Sequence, residues 1–144
     1  MGIFNRILIP TDGSDYSMAA VEKGLMLAKE IGAEVTALNV VDNSSFSYYP
    51  RDPVGVEIAN KLLREEGERA VNRVKERGEE IGVKVTTLIK EGSPGWIISD
   101  TSEEYDLVVI ATLGRTGISR ILMGSVAERV ARHSSSPVML VKSI

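Results

Sequence analysis

Apolar positions along the chain follow two spacings, which alternate from one end to the other. Short continuous apolar runs predict strands at residues 3–9, 34–41, 83–90, 107–111 and 138–141. Between these runs, apolar residues at helical spacing predict helices over 14–31 and 54–81, from 93 onward, and over 125–133. This β-α-β-α-β-α-β-α-β order predicts one α/β domain over residues 1–144, a doubly wound parallel sheet with helices on both faces.

Local signals mark several ends of these elements. Pro10 is expected to stop the first strand, and a turn follows it. Ser14 is a suitable N-cap for the next helix, and Gly32 is a suitable terminator. Ser93 followed by Pro94 predicts another helix start, a cap and then a first-turn proline.

Polar and glycine-rich turns follow the first and fourth strands. The first is Pro10-Thr11-Asp12, and the second runs from Ile110 to Gly114 and Arg115. In doubly wound sheets, ligands bind beyond the carboxyl ends of strands where the winding reverses, so both turns should line one crevice. Gly124-Ser125 opens the last helix close by, and free N–H groups at a helix start attract anions. The sequence therefore predicts a phosphate-binding cradle.

Each of these residues also has a purely structural interpretation. Ser125 and Glu128 form an S-x-x-E capping box, so Ser125 either caps its own helix alone or also binds phosphate. Gly114 can be a plain turn residue, and Asp12 either closes a turn or binds ribose or base. The single histidine, His133, is interpreted as a surface residue at a helix end.

Composition narrows the function classes. The chain has 144 residues, a formal net charge of −3 and no cysteine. The absence of thiols excludes thiol catalysis and thiolate metal sites, and fits a reducing compartment. We expect no nucleic-acid partner, because no basic stretch is dense enough to follow a polyanion. No apolar run is long enough for a membrane span, so a soluble cytoplasmic protein is expected.

A family resemblance rests on motifs spread over nearly the whole chain. ILIPTDGS near the start, LNVVD in the second strand, and A-x-x-G-R-T-G, GSVAERV and PVMLVK towards the end resemble universal stress proteins (UspA-like) of the ATP-binding type. The family's phosphate motif is Gly, two residues, Gly, nine residues, Gly, then Ser or Thr. Gly114 and Gly124-Ser125 match it in spacing and type. The resemblance implies an adenine nucleotide alpha hydrolase-like fold with strand order 3-2-1-4-5.

One position departs from that motif, because Ala111 stands where the first glycine belongs. If this position needs a positive φ, alanine costs roughly 1–2 kcal/mol of strain. If φ is negative, the methyl group only narrows the approach to the ribose. We expect nucleotide binding to be retained.

The resemblance implies specific roles around a bound ATP, AMP or ADP. Asp12 would bond ribose or base, Val40 would give backbone contacts to adenine, and Ile110 would pack on the face of the base. Mg²⁺ or Mn²⁺ would accompany ATP, held largely by phosphate oxygens and water. The implied site comprises Pro10, Thr11, Asp12, Val40, Ile110, Ala111, Gly114, Arg115, Gly124, Ser125 and Val126.

The implied strand order leaves Val138–Val141 at an edge of the sheet. An apolar edge strand invites pairing with another chain, so we expect a homodimer through this strand. The alternative is coverage by a terminal segment of the same chain.

The sequence shows no paired nucleophile and base, and it contains neither a G-x-S-x-G nor a Walker motif. We therefore expect that the protein is not an enzyme. The leading hypothesis is an ATP-binding regulatory protein of the stress response. The alternatives are a nucleotide-independent interaction module and a slow ATP hydrolase. The loop 42–53, with its aromatic residues, is either a mobile lid or an ordered surface loop.

Overall fold

The computed structural model describes residues 2–43, 52–113 and 123–142, and these form a single layered α/β unit. Each strand and each helix predicted from the sequence is found. The elements are β1 (Arg6–Pro10), α1 (Asp15–Ile31), β2 (Glu34–Val41), α2 (Pro53–Ile81), β3 (Val85–Glu91), α3 (Pro94–Thr101) with a 3₁₀ turn (Ser102–Glu104), β4 (Leu107–Ala111), α4 (Ser125–His133) and β5 (Val138–Val141).

The five strands form one parallel sheet in the order β3-β2-β1-β4-β5, which confirms the fold class and places β5 at an edge. Alternate side chains of each strand enter two separate hydrophobic cores. One core lies under α1 and α2 and includes Ile9, Val74 and Val109. The other lies under α3 and α4 and includes Leu38 and Val130. Helices therefore cover both faces, as predicted.

Two strand boundaries differ from the prediction. The first strand begins at Arg6 rather than Ile3, because the carboxylate of Asp106 accepts hydrogen bonds from the N–H groups of Asn5 and Arg6 and starts the strand there. β3 begins at Val85 rather than Val83, because the Val83 N–H bonds to a carbonyl at the end of α2. These partners lie on other elements, which local patterns do not reveal.

The caps predicted for α1 are confirmed. The Ser14 hydroxyl accepts a hydrogen bond from the Ser17 N–H at 3.2 Å. Gly32 ends the helix with φ of 73°, a conformation that glycine adopts without strain. An ion pair joins α1 to α2, since the Arg77 guanidinium lies 2.7 Å from the Glu22 carboxylate. The hydrogen bonds from Arg77 lower the pKa of Glu22 below its usual value.

Candidate functional site

A crevice opens where β1 and β4 separate. The two strands pair only at Ile7 with Leu107 and at Leu8 with Val108, although β4 continues to Ala111. Even-numbered residues of β1 face β4, as the hydrogen bond from Asp106 N to Arg6 O shows. Pro10 faces the same way but has no N–H to donate. Pro10 is thus the last residue of β1, where it still pairs with Leu38 of β2, although the pairing with β4 stops at Leu8. The strand ends at Pro10, as predicted, one residue beyond the predicted end at Ile9.

A cavity of about 370 Å³ fills this crevice, a size typical of small-ligand sites. Of the residues predicted for the site, Gly114 and Arg115 lie outside the described residues. The other predicted residues all line the cavity, namely Pro10, Thr11, Asp12, Val40, Ile110, Ala111, Gly124, Ser125 and Val126. The lining also includes residues that were not predicted for the site, namely Ser17, Leu38, Asp42, Pro94, Ile98, Thr112, Leu113 and Ala127.

The start of α4 forms one wall of the cavity. Gly124 is the N-cap, with φ of −63° and ψ of 154°, and its carbonyl accepts the first helical hydrogen bond from Glu128 N at 2.9 Å. Ser125 is therefore the first helical residue, and no side chain caps the helix. The predicted S-x-x-E capping box is wrong, because glycine takes the extended cap conformation one residue earlier than the motif requires.

Only part of the 111–126 backbone is available to an anion. The Thr112 N–H bonds to Val141 O at 3.0 Å, and the Gly124 N–H bonds to Thr112 O at 2.7 Å. These two amides are therefore not available to the phosphate-binding cradle that the sequence predicts. The Gly124 bond instead fixes the start of α4 beside the end of β4. The amides of Ser125, Val126 and Ala127 follow the cap and have no partner within the helix.

The turn after β1 is held by its own side chains. The Asp12 carboxylate accepts from the Ser14 N–H at 2.9 Å, so Asp12 closes a turn, one of the two roles considered from sequence. The Thr11 hydroxyl lies 2.9 Å from the Ser17 hydroxyl and accepts from the Gly13 N–H at 3.1 Å. These bonds order the cavity floor before any ligand arrives.

The main chain of Val40 has no paired β1 residue beside it, because the pairing of β1 with β2 ends at Leu38. Even-numbered residues of β2 face β1, as the bond from Thr11 N to Leu38 O at 2.8 Å shows. β1 ends at Pro10, which pairs with Leu38. The N–H and C=O of Val40 therefore lie on the β1 side of β2, past the end of β1, where Val40 lines the cavity. A donor and an acceptor side by side match the edge of a purine base.

Ala111 resolves one of the alternatives left open by the sequence. No described residue other than glycine has a positive φ, so Ala111 carries none of the strain that a left-handed conformation would impose. Its methyl group belongs to the core under α1 and α2, and the residue is 7% exposed. The replacement of the motif glycine is therefore compatible with the strand.

Some of the lining residues that were missed left signals in the sequence. Ser17 stands at the start of the buried stripe of α1 that continues through Val21, Leu25 and Ala28. A polar residue on an apolar helical face needs a partner, which Thr11 supplies. Leu38 and Ile98 are apolar core residues whose place at the cavity depends on how helix and sheet pack. No sequence signal distinguishes them from other core residues.

The model of the universal stress protein family matches residues 3–142. The chain belongs to this family. It is 45% identical over 142 residues to the universal stress protein MJ0531 of Methanocaldococcus jannaschii, covering 97% of this chain and 83% of that protein. It is 33% identical to universal stress protein YxiE of Bacillus subtilis, covering 97% of this chain and 100% of that protein. The structure of UspA from Lactobacillus plantarum superposes with a TM-score of 0.81 at 26% identity, covering 98% of this chain and 99% of that one.

Two further structures of this fold contain nucleotides. One is a universal stress protein in complex with cAMP, with a TM-score of 0.72, 22% identity, and coverage of 97% of this chain and 98% of that one. The other is a universal stress protein family protein from Arabidopsis thaliana with AMP bound, with a TM-score of 0.69, 18% identity, and coverage of 97% and 92%. Within the described residues of the present chain, no helix has the length and apolar character to cross a bilayer.

Proposed function

We propose that the protein binds an adenine nucleotide, with ATP as the principal ligand, and acts as a regulatory module of the stress response. One observation carries this proposal. Ser125, Val126 and Ala127, whose amides have no partner within α4, line the same cavity as Val40, whose main chain extends past the end of β1. The nucleotide complexes within the fold family support it.

The two ends of the cavity suit the two ends of a nucleotide. The amides of Ser125, Val126 and Ala127 and the positive end of the α4 dipole favour phosphates. Apolar side chains of the second core, including Leu38 and Ile110, suit the faces of a base. The described residues contain no group of three potential metal-ligating side chains, so Mg²⁺ or Mn²⁺ would be held mainly by phosphate oxygens and water.

Two substitutions at one position test the phosphate part of the site. Ser125→Ala removes only the hydroxyl. Ser125→Pro also removes an amide, and proline is accepted at the first position of a helix after the extended backbone of Gly124. We expect Ser125→Pro to weaken binding of ATP-Mg²⁺ by about tenfold or more beyond Ser125→Ala, since a charge-assisted hydrogen bond is lost.

Isothermal titration calorimetry measures the three affinities, and circular dichroism checks that α4 remains folded. A flat titration of the parent protein with ATP-Mg²⁺, ADP and AMP would exclude nucleotide binding and favour a nucleotide-independent module. Equal affinities for the two variants would mean that the α4 amides do not hold the phosphates.

We further propose that the protein is a binder rather than an enzyme. The polar side chains lining the described part of the cavity are hydroxyls and carboxylates, including Thr11, Ser17 and Ser125. The hydroxyls of Thr11 and Ser17 bond to each other rather than to a base. Release of phosphate from ATP, followed under saturating ATP-Mg²⁺, is expected to stay at the background rate. Steady turnover that Ser125→Ala abolishes would establish a hydrolase instead.

The regulatory unit is proposed to be a homodimer formed through β5. Met139 and Leu140 lie on opposite faces of this edge strand and are 40% and 37% exposed. Antiparallel pairing of two copies would bury both side chains and satisfy both edges. Leu140→Lys places a charge in such an interface, so the mass measured by light scattering should fall from dimer to monomer. Lys142→Ala, just beyond the strand, is the control.

A monomeric parent protein at micromolar concentration would refute the dimer. A Leu140→Lys variant that stays dimeric would place the interface elsewhere.

A further inference from the structure

Asn39 is a polar residue held inside the core that α2 covers. It is 8% exposed, and its side-chain amide donates to the Thr11 carbonyl at 2.9 Å. On its other side it meets Gly67 of α2. A Cβ at Gly67 would lie 2.3 Å from the Asn39 Oδ1 atom, closer than atoms can approach. Asn39 is thus fixed between the end of β1 and the backbone of α2.

The bond to Thr11 replaces a bond that a regular parallel ladder would contain. The Thr11 N–H bonds to Leu38 O at 2.8 Å, so the next ladder bond would join the Val40 N–H to Thr11 O. Among the described residues no hydrogen bond joins the Val40 N–H to Thr11 O, and the Asn39 amide donates to this carbonyl instead. The next donor along the chain, the Gly13 N–H, bonds to the Thr11 hydroxyl rather than to Val40 O.

We propose that Asn39 is a positioning residue of the nucleotide site, which acts through Thr11 and Val40. By taking the Thr11 carbonyl, its amide ends the ladder between β1 and β2 and leaves the Val40 N–H open to the edge of the base. Gly67 contributes to this positioning, because only a residue without a Cβ atom allows α2 to lie against the Asn39 amide. The inference rests on the proposed function for the identity of the ligand. The open Val40 amide is a property of the protein alone.

The first experiment needs no nucleotide. Hydrogen exchange by NMR compares the Val40 amide with that of Leu38, which lies inside the paired region of β1 and β2. In the parent protein, Val40 should exchange at least about tenfold faster than Leu38. In Asn39→Ala, the Thr11 carbonyl becomes free to accept the Val40 N–H, so exchange at Val40 should slow towards that of Leu38. Equal exchange at Val40 and Leu38 in the parent protein would overturn the inference.

The second experiment measures recognition of the base. An open Val40 N–H can donate to N1 of adenine, whereas hypoxanthine carries a hydrogen at that position. Asn39→Ala should therefore weaken ATP by about three- to tenfold, the effect of one hydrogen bond. It should also reduce the preference for ATP over inosine triphosphate by a similar factor. Binding of inorganic tripolyphosphate should change by less than about twofold, because the α4 amides are untouched.

Two further variants separate positioning from packing. Gly67→Ala should reproduce the loss of base preference, because the new Cβ displaces the Asn39 amide. In the double variant Asn39→Ala/Gly67→Ala, the closest remaining atom is the Cβ of residue 39 at 3.5 Å, an ordinary contact. Its stability should recover relative to Gly67→Ala, while its preference for ATP stays low. Val74→Ala, a buried change in α2, should reduce stability without changing the preference.

These outcomes also distinguish this inference from the proposed function. A parent protein that binds no nucleotide would refute the proposed function, and the exchange at Val40 would still decide the role of Asn39. A parent protein that binds ATP, together with an Asn39→Ala variant of unchanged affinity and base preference, would show that Asn39 only fills space.

Discussion

Ala111→Gly restores the glycine that the family's phosphate motif carries, and the structure predicts that this change does not improve the site. A gain in nucleotide affinity would require that the alanine is strained or that its methyl group obstructs the ligand. The φ of Ala111 is not positive, so there is no left-handed strain to relieve. Its methyl group packs in the core under α1 and α2. We therefore expect a change in stability rather than in binding.

The size of the stability loss follows from two contributions. Removing a buried methyl group costs about 0.8 kcal/mol. Glycine within a strand costs roughly a further 0.5–1 kcal/mol, because the unfolded chain gains freedom. The free energy of unfolding should thus fall by about 1–2 kcal/mol, while the affinity for ATP changes by less than about twofold, or 0.4 kcal/mol.

Urea denaturation and calorimetric titration with ATP-Mg²⁺ measure the two quantities on the same preparation. Ala37→Gly is the matched control, because Ala37 is fully buried on β2 in the same core and does not line the cavity. Both variants should lose similar stability. An Ala111→Gly variant that binds ATP about tenfold tighter without losing stability would show that the alanine obstructs the site and would refute this reasoning.

Two further predictions concern the layer formed by α1 and α2. Because Arg77 lowers the pKa of Glu22, this ion pair contributes stability above the ordinary carboxyl pKa and loses it as the pH falls through the lowered value. Glu22→Gln should therefore be less stable than the parent protein in urea titrations at pH 7. The difference in stability should shrink at about pH 3. A difference that does not change with pH would contradict this prediction. Gly78→Ala should lower the free energy of unfolding by about 1–3 kcal/mol in the same assay. The reason is that its Cβ would lie 2.4 Å from the Val85 side chain and 2.9 Å from the Val83 carbonyl oxygen. Unchanged stability would show that α2 can shift.

Elements with local signals at both ends could be predicted from the sequence. α1 has a serine cap at its start and a glycine in the left-handed region after its end, and both caps could be identified in the sequence. β2, β4 and β5 were predicted with their observed bounds, because each of these parallel strands is a largely apolar run. The chain order of strands and helices then indicated which strand ends meet.

The start of β1 could not be predicted, because it depends on a partner far along the chain. Ile3 is apolar and was included in the strand, yet it is 82% exposed. The strand begins where the Asp106 carboxylate binds the main chain of residues about a hundred positions earlier. The pairing of Pro10 with β2 could not be predicted for a related reason. A proline excludes a ladder bond on only one side of a strand, and the side is known only once the neighbours are known.

Nine of the residues predicted for the site line one cavity, but their hydrogen bonds could not be predicted. Spacing and residue type predicted that the turn after β1, the end of β4 and the start of α4 meet, and residues of all three line one cavity. Which amides remain open depends on the pairing of backbones, and this is visible only in three dimensions. Asn39 illustrates the difference, because within the sequence it is one polar residue in an apolar strand. Its significance comes from the Thr11 carbonyl and from the glycine on α2.

The position of the α4 cap connects stability to binding. A serine at the cap would satisfy one first-turn amide with its own hydroxyl, and replacing such a cap by glycine costs only a few tenths of a kcal/mol. With Gly124 at the cap, the amides of Ser125, Val126 and Ala127 have no partner in the helix, and the Gly124 N–H holds the helix against β4. A bound phosphate would supply the missing acceptors. The same feature that leaves the isolated helix slightly less stable thus makes its start a receptive anion site, and ligand binding should stabilise α4 first.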